Sequence, residues 1–409
     1  MTRSTLATHW GLDPSIDFLN HGSFGACPRE VLAVQAALRD RMEAEPVQFL
    51  WHDLDGLLAT SRAALAAFIG ADADDLAFVP NATTGVNTVL QSLHFEVGDE
   101  LLTTDHEYNA ILNAARAVAT RDGARVVVAH VPFPIDDPAE VIAALLAAVT
   151  DRTRLALFSH VTSPTALIFP AADLVRELAV RGVDTLLDAA HSPGMVPLDL
   201  NAIGAAYATG NAHKWICAPK GSAFLHIRRD RRELIRPLIV SHGANDTRSG
   251  RPRFRAEFDW TGTSDPTAAL SVPDALRFGG ELLAGGWPEL MAANRELTLT
   301  ATHILTDALG IEPPAPASMI GAMAAFPLPA AFPEDVDVRL FHDFRIEVPV
   351  VSWPVPAALG PEEWPKANLL RISAQAYNDR SQYERLAQAL GAMMPARAQA
   401  VGGRVASAE

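Results

Sequence analysis

Cysteine is nearly absent from the sequence, since Cys27 and Cys217 are the only two among 409 residues. No Cys-x-x-Cys spacing occurs, so a disulfide framework and a thiolate metal site are both disfavoured. Such sparing use of thiols is typical of proteins in a reducing compartment, and we expect this one to be cytoplasmic.

Basic side chains are also scarce, because 33 Lys and Arg face 48 Asp and Glu and the formal net charge is -15. A nucleic-acid-binding protein needs a broad basic surface to displace counterions from phosphates, so this balance argues against that class. One basic cluster occurs in a Ser-Gly-Arg-Pro loop, and we interpret it as a solvated or interface loop. It consists of Arg248, Arg251, Arg253 and Arg255.

Long apolar runs are missing as well. The first ten residues lack the apolar core of a signal peptide, and no later run is long enough to cross a bilayer. We therefore expect a soluble protein without membrane association.

The chain does contain enough apolar side chains for a large core. Hydrophobic residues make up 49% and charged residues 20% of the sequence, a balance typical of folded globular proteins. Because 409 residues are too many for one ordinary core, we expect one large and one smaller domain.

Strand-like and helix-like patterns alternate from Leu76 to about residue 227. The alternation predicts a mostly parallel sheet that is covered by helices on both faces. Ligands of such sheets bind beyond the carboxyl ends of the strands, so the loops after the strands are the expected site of chemistry. The strand-like runs are 76–79, 99–104, 125–131, 154–159, 183–187, 205–209 and 222–227.

The pattern changes after about residue 265. A long helical stretch from Pro273 to Leu305 is followed by alternating runs and a last helix, which is typical of a smaller α+β domain; these later elements lie around 322–326, 346–352, 369–373 and 381–394. We accordingly expect an N-terminal segment (1–16), a large domain (17–270), a small domain (271–395) and a disordered tail (396–409).

One lysine follows directly on a strand-like run. Lys214 stands beyond the run at 205–209, next to His213 and close to Asn211. A lysine amine becomes a nucleophile once its pKa is lowered, and it then forms Schiff bases with carbonyl compounds. Most lysines are solvated surface charges, however, and Lys220 lies close by, so the local context leaves both interpretations open.

Two other loops after strands carry polar residues that suit a phosphorylated ring. Thr83 and Thr84 stand at a helix start, where free N–H groups and the helix dipole favour an anion, although Asn81 or Thr83 would also serve as a plain N-cap. Asp188 ends an apolar strand, and a carboxylate that faces a pyridine nitrogen keeps the ring protonated as an electron sink. His191 then lies beside the ring, unless it is a structural turn residue.

The segment 104–110 also follows a strand. Tyr108 suits a position stacked on a flat cofactor. The rival interpretation is a metal site of Asp105, His106 and Glu107. We discount it, because adjacent side chains point in different directions and no second ligand pair supports them.

These motifs, in this order, resemble the class V branch of the fold-type-I, pyridoxal-phosphate-dependent enzymes, the branch that contains the cysteine desulfurases. The segments 18–25, 106–110 and 260–265 look most like its isopenicillin N epimerase-like subgroup. The resemblance spans roughly residues 17 to 390. It implies an aspartate aminotransferase-like α/β fold, with a mostly parallel seven-stranded sheet in the large domain and a smaller α+β C-terminal domain.

The resemblance also implies roles for individual residues. Lys214 holds the cofactor as a Schiff base, Asp188 pairs with the pyridine nitrogen and Tyr108 stacks on the ring. The ring hydroxyl is approached by His191 and Ser163. The phosphate is surrounded by Thr83, Thr84, Asn211 and His213, with Thr263 added by the neighbouring subunit, which implies a homodimer with shared active sites.

Arg371 and His21 complete the implied site. Arg371 matches the family arginine that holds the substrate carboxylate, a task that suits its permanent charge and paired donors. The alternative is a buried structural ion pair. His21, in the N-terminal loop, is interpreted as a lid residue over the substrate.

The implied reaction begins when Lys214 takes the Cα proton of an amino acid. We place epimerisation first, while transamination and C–S lysis stay open, because these residues do not decide where the proton returns. Epimerisation needs a second proton donor, for which His21, His106 and Tyr108 are the candidates. The chain has no cysteine after Cys217, so a persulfide-forming desulfurase is disfavoured.

Two interpretations from other classes compete with this one. A non-enzymatic α/β protein that binds a phosphorylated ligand would not need Asp188, Lys214 and Arg371 together. A hydrolase is less favoured, because Ser163 and Ser192 lack the Gly-x-Ser-x-Gly setting of a nucleophile elbow.

Overall fold

In the computed structural model, which describes residues 4–247, 250–355 and 366–394, the chain is built around a seven-stranded sheet. A three-stranded and a two-stranded sheet accompany it. The strands are β1 (Asp17–Phe18), β2 (Leu76–Val79), β3 (Glu100–Thr104), β4 (Arg125–Ala129), β5 (Thr153–Ser159), β6 (Asp184–Asp188), β7 (Tyr207–Asn211), β8 (Ala223–Ile227), β9 (Met323–Pro327), β10 (Ile346–Glu347), β11 (Val350–Trp353) and β12 (Ala367–Ser373).

Helices follow most of these strands. They are α1 (His21–Phe24), α2 (Arg29–Ala44), α3 (Leu54–Phe68), α4 (Ala82–Ser92), α5 (Asn109–Asp122), α6 (Pro138–Ala147), α7 (Ala171–Val180), α8 (Leu200–Ile203), α9 (Arg253–Phe258), α10 (Thr267–Leu270), α11 (Val272–Glu281), α12 (Gly286–Leu309), α13 (Val336–Phe344) and α14 (Arg380–Met393). A π-helical turn (Gln48–Asp53) precedes α3, and short 3-10 helices lie at Thr5–His9, Ala73–Asp75, Arg229–Leu234, His242–Asn245 and Ala317–Met319.

Local sequence signals set several helix ends. The side chain of Asp137 caps α6 in a capping box with Glu140, and Pro138 occupies the first helical position. Helix α5 ends at Gly123, whose φ of 71° is the left-handed conformation that glycine adopts without strain.

The large sheet has the strand order β2-β8-β7-β6-β5-β3-β4. Strands β4, β3, β5, β6 and β7 are parallel, and β8 lies antiparallel between β7 and β2. The carboxyl ends of β2, β3, β5, β6 and β7 therefore meet at one edge of the sheet. This is the edge at which open α/β sheets bind ligands.

Apolar layers cover both faces of the large sheet, as strands with continuous apolar runs require. The core on one face includes Leu65 of α3, Val141 of α6 and Leu174 of α7. Val89 and Ile111 of α4 and α5 belong to the core on the other face. A third core joins α12 and α14 to the small sheet of β9, β11 and β12.

The predicted fold is confirmed. Each of the seven expected strand-like runs from 76 to 227 overlaps a strand of the large sheet, and the later runs become β9 to β12. The long helical stretch predicted from Pro273 to Leu305 is wrong in one respect, because it forms two helices, α11 and α12. The chain turns at Gly286, with a φ of 65°, and the Trp287 ring packs so closely on Gly279 that a Cβ there would lie 2.2 Å from it.

The predicted domain boundaries remain a prediction, and several contacts cross them. Val272 and Ala275 of α11 belong to the core that also contains Leu65 of α3. Strand β1 pairs in parallel with β10, and Leu19 packs in the third core, so residues 17–19 contact the C-terminal part of the chain. The predicted tail, 396–409, and Arg248 of the basic loop lie outside the described residues. Within the part of the chain that is described, no helix is long and apolar enough to cross a membrane.

Candidate active site

A cavity of about 620 Å³ opens at the carboxyl edge of the large sheet. The loops after β2, β3, β5, β6 and β7 form most of its wall, and β12 closes it from the small sheet. Nine of the residues predicted for the site line this cavity: Thr83, Tyr108, Ser163, Asp188, His191, Asn211, His213, Lys214 and Arg371.

Lys214 presents its amine to the cavity from the turn after β7. Its Nζ lies 2.9 Å from Nε2 of His191. Removal of the amine from solvent and the charge of Arg371 lower the pKa of Lys214 to about 7, although Asp188 opposes the shift. The amine is thus substantially neutral, and nucleophilic, near neutral pH.

The backbone around Lys214 is tightly held. Gly25 passes so close that a Cβ there would lie 2.0 Å from the carbonyl oxygen of His213, and its φ is 69°. The Lys214 carbonyl accepts hydrogen bonds from Cys217 N–H and, at 2.9 Å, from Nε2 of His21. The lysine therefore projects from a rigid turn.

Asp188 stands at the carboxyl end of β6 with only 4% of its surface exposed. Its Oδ1 accepts a hydrogen bond of 2.8 Å from the backbone N–H of Ala190. Burial raises the pKa of Asp188, while the Ala190 N–H and the charge of Lys214 act in the opposite direction. A buried carboxyl in the cavity wall is suited to bind a cationic ring nitrogen.

His191 lies beside Lys214 in the wall. Burial, followed by the charge of Lys214, lowers the pKa of His191 well below its usual range. The imidazole is therefore neutral at neutral pH, and the indole N–H of Trp215 lies 3.5 Å from its Nδ1. Neutral His191 therefore places no positive charge beside the Lys214 amine.

The start of α4 points at the cavity and is organised by two asparagines. Asn81 is the N-cap and accepts hydrogen bonds from the N–H and the hydroxyl of Thr84. Asn211 accepts a hydrogen bond of 2.9 Å from the N–H of Ala82. Thr83 lines the cavity, whereas the Thr84 hydroxyl bonds to Asn81 outside the lining, so the role of Thr84 at the phosphate stays a prediction.

Arg371 enters the cavity from β12. Its guanidinium donates to the carbonyl and hydroxyl oxygens of Ser163 and, at 2.9 Å, to the hydroxyl of Ser23. Burial lowers the pKa of Arg371 to about 10, which leaves it charged at neutral pH. Among the described residues it has no carboxylate partner, and its buried Nε has no hydrogen-bond partner at all, so the alternative of a structural ion pair finds no support.

His21 is not a lid residue, and this expectation is corrected. Its side chain is fully buried behind Lys214, where Nδ1 lies 2.7 Å from the Tyr377 hydroxyl and Nε2 bonds to the Lys214 carbonyl. Burial lowers its pKa to about 3, so it stays neutral. The side chain holds the lysine turn in place and does not line the cavity.

The remaining candidates lie elsewhere. His106 is fully buried between Thr165 and the carbonyl of Val131, outside the lining. Thr263 is exposed on the loop after α9 and does not line the cavity of its own chain.

The described arginines of the basic loop form ion pairs within the chain. Arg251 pairs with Asp55, Arg253 with Glu257, and Arg255 with Asp259. The prediction of a solvated or interface loop is therefore incomplete, because carboxylates on neighbouring elements neutralise these charges.

Sequence reasoning missed Ser23 at the site and weighed Glu107, which lies beside it, only as a metal ligand. Ser23 donates to Asn20 at 2.6 Å and accepts from Arg371, and Glu107 lies buried next to Tyr108. Both stand inside motifs on which the resemblance rests, so their position in those motifs was a signal for them.

The two cysteines lie outside the cavity lining and are buried. Burial raises the pKa of Cys27 to about 12 and also raises that of Cys217. Neither thiol is placed or ionised as a nucleophile requires. No group of three His, Cys, Asp or Glu side chains suited to a metal ion occurs in the described ranges.

Comparisons with known proteins agree with this arrangement. The sequence model of the family "Aminotransferase class-V" matches residues 28–386. Isopenicillin N epimerase of Streptomyces clavuligerus is 37% identical, over 93% of this chain and 96% of the relative. A putative L-cysteine desulfhydrase of Oryza sativa subsp. japonica is 34% identical, over 96% of this chain and 87% of the relative.

Solved structures agree on the fold. The cystine C–S lyase C-DES, in complex with its product cysteine persulfide, superimposes with a TM-score of 0.78 and 22% identity, over 93% of this chain and 99% of that chain. At this level of identity the likeness concerns the fold.

Proposed function

Because this chain belongs to the class V aminotransferase family of pyridoxal-phosphate-dependent enzymes, we propose that it epimerises the Cα centre of an amino acid. The observation that carries the proposal is the meeting of three groups in one cavity: the neutralised amine of Lys214, the buried carboxyl of Asp188 and the charged guanidinium of Arg371. A protein that only bound a phosphorylated ligand would not need all three.

The donor set fits pyridoxal phosphate. When bound, this cofactor condenses with an amine and draws electrons away from Cα. Lys214 would hold it covalently and Asp188 would face its pyridine nitrogen. The start of α4 at Thr83, together with Asn211 and His213, offers the positive end of a helix and polar side chains to the phosphate.

The other roles follow from charge and position. Arg371, with its unpartnered Nε, would bind the substrate carboxylate beside Ser163. The Lys214 amine, with a pKa of about 7, is suited to take the Cα proton near neutral pH. Of the three side chains weighed as the second proton donor, only Tyr108 lines the cavity, so we assign it the return of the proton to the opposite face.

A C–S lyase is the second candidate. Relatives named L-cysteine desulfhydrases match nearly the whole chain, and one of them is 34% identical. A lyase of this kind needs only the base and the carboxylate site, followed by departure of the sulfur substituent. A route through a protein-bound persulfide is disfavoured, because both thiols are buried away from the cavity.

We also propose a homodimer in which Thr263 of one subunit contacts the phosphate site of its partner. The loop at 261–265 is exposed or half-buried. Trp51, on the π-helical turn before α3, exposes 68% of its surface. A second cavity of about 400 Å³, lined by Trp51 and Trp260, adjoins this region and supports an interface there.

Product analysis in D₂O tests the reaction type. The reconstituted enzyme is incubated with L- and D-amino acids, and each mixture is analysed for chirality, deuterium at Cα, oxo acid and ammonia. We expect one amino acid to interconvert between L and D forms and to gain deuterium at Cα, without release of ammonia. Release of ammonia and sulfide from cysteine or cystine, without interconversion, would replace the epimerase by the lyase.

A further inference from the structure

The carboxyl group of Glu107 lies next to the cavity and takes no part in the chemistry proposed above. It follows β3 by three residues, and its side chain is fully buried. Strand β5 runs between β3 and β6, and its last residue, Ser159, pairs in register with Asp188. The sheet thus brings two buried carboxyl groups, Glu107 and Asp188, to either side of Ser159.

The hydrogen bonds of Glu107 all fall on one oxygen. Oε1 accepts from the Tyr108 N–H at 2.7 Å and from the Ser159 hydroxyl at 2.7 Å. Oε2 is buried and has no hydrogen-bond partner among the described residues. Burying an ionised carboxylate without full solvation is far more costly than burying a neutral acid, so the geometry favours a proton on Oε2.

The surrounding charges favour the same state. The titratable groups at the neighbouring strand ends are Asp105, His106 and Tyr108 after β3, His130 after β4, His160 after β5, Asp188 and His191 after β6, and His213 and Lys214 after β7, while Arg371 enters the cavity from β12. Burial lowers the pKa of four of these histidines, which leaves them neutral: His106, His160, His191 and His213. The charge of Lys214 acts on Asp188, and burial followed by the charge of Asp188 raises the pKa of Glu107 to about 8.

We propose that Glu107 is a positioning residue that holds a proton in the folded protein, so that Asp188 alone of the two carries the negative charge. Two adjacent buried carboxyls do not both ionise readily, and Asp188 keeps the charge because the Ala190 N–H, followed by the positive charge that Lys214 carries when protonated, stabilises its carboxylate. This inference rests on the role proposed for Asp188 at the pyridine nitrogen. Glu107 accepts the hydrogen bond of the Ser159 hydroxyl and stays neutral, so the negative charge remains on Asp188, where it faces the cofactor.

Infrared difference spectroscopy of the full chain tests this proposal without turnover. The C=O band of a protonated carboxylic acid is followed as a function of pH in wild type, Glu107→Gln and Asp188→Asn. We expect a band in wild type that falls to half its intensity near pH 8 and is missing in Glu107→Gln. In Asp188→Asn the band should persist with a lower midpoint, because the repelling charge is gone.

The opposite pattern would overturn the proposal. If the band persists in Glu107→Gln and disappears in Asp188→Asn, Asp188 holds the proton. If wild type shows no difference from Glu107→Gln at pH 6, Glu107 is ionised.

Ser159→Ala provides an independent test that leaves both carboxyls in place. Loss of the hydroxyl donor to Oε1 should raise the midpoint, and an unchanged midpoint would count against the arrangement. Should Glu107 prove ionised while L and D forms still interconvert in D₂O, this inference falls and the proposed function stands.

Discussion

Nζ of Lys214 lies 2.9 Å from Nε2 of His191 in the cavity wall. Two cations cannot share such a position, because removal from solvent and mutual repulsion both disfavour the charged forms. Burial, followed by the charge of Lys214, lowers the pKa of His191 well below its usual range, whereas burial, followed by the charge of Arg371, lowers the pKa of Lys214 to about 7. The lysine amine beside a neutral His191 is therefore available as a nucleophile.

The first prediction concerns the pH dependence of cofactor incorporation. In the cofactor-free chain, the rate at which pyridoxal phosphate attaches should rise with pH and level off above about 7, because only the neutral amine reacts. An ordinary lysine would continue to gain reactivity up to about pH 10. Stopped-flow absorbance measures the rate, and a profile that still rises at pH 9 would contradict the neutralised amine.

The second prediction is that two substitutions move this midpoint in opposite directions. Arg371→Gln removes a charge that lowers the pKa of Lys214, so the midpoint should rise; Asp188→Asn removes a charge that raises it, so the midpoint should fall. We expect shifts of about one pH unit. Arg277→Gln, on an exposed face of α11, is the control and should leave the midpoint in place. Shifts in the same direction would refute the assignment of charges.

The third prediction distinguishes the two lysines of the loop. Borohydride reduction should fix the cofactor to Lys214, and Lys214→Ala should abolish both the covalent adduct and the yellow absorption band. Lys220 donates to the carbonyl of Gly25 at 2.9 Å, and Lys220→Ala should keep the adduct. Mass spectrometry of peptides locates it, and an adduct on Lys220 in wild type would exclude Lys214 as the covalent residue.

The fourth prediction concerns the return of the proton. Tyr108→Phe keeps an aromatic ring in the cavity wall and removes the hydroxyl. Interconversion of L and D forms should fall by about 10²- to 10⁴-fold, the usual contribution of a positioned acid or base. Exchange of the Cα proton with D₂O at retained configuration should persist, because Lys214 still acts as the base. Equal loss of both activities would show that Tyr108 is not a separate proton donor.

The fifth prediction tests the close packing of α4 against β7. A Cβ on Gly85 would lie 2.1 Å from Oγ1 of Thr209 on β7, so Gly85→Ala should reduce the free energy of unfolding by about 1–3 kcal/mol and weaken cofactor binding. Gly56 is a matched control within α3, because a Cβ there meets nothing within 4 Å. Gly56→Ala should instead stabilise by about 0.4–1 kcal/mol. Urea denaturation measures both, and equal effects would contradict close packing at Gly85.

The sequence by itself determined the fold and most of the site's composition. Strand periodicity is a local property, so the seven strands of the large sheet were predicted. Lys214 and Asp188 were found from motifs that follow strands, whereas Arg371, which lies within β12, was found from the family resemblance. The break between α11 and α12 was missed, because it depends on the packing of Trp287 against Gly279.

Only the tertiary structure decided what each polar side chain contacts. His21 and Tyr108 were both weighed as proton donors, yet one is buried behind Lys214 and the other lines the cavity. The role proposed for Glu107 depends on Ser159 and Asp188, which are distant from it in sequence and close to it across the sheet. Hydrogen bonds and pKa shifts depend on burial and on charges within a few ångströms. Strand pairing sets these distances between residues that are far apart in the sequence, so no local sequence pattern predicts them.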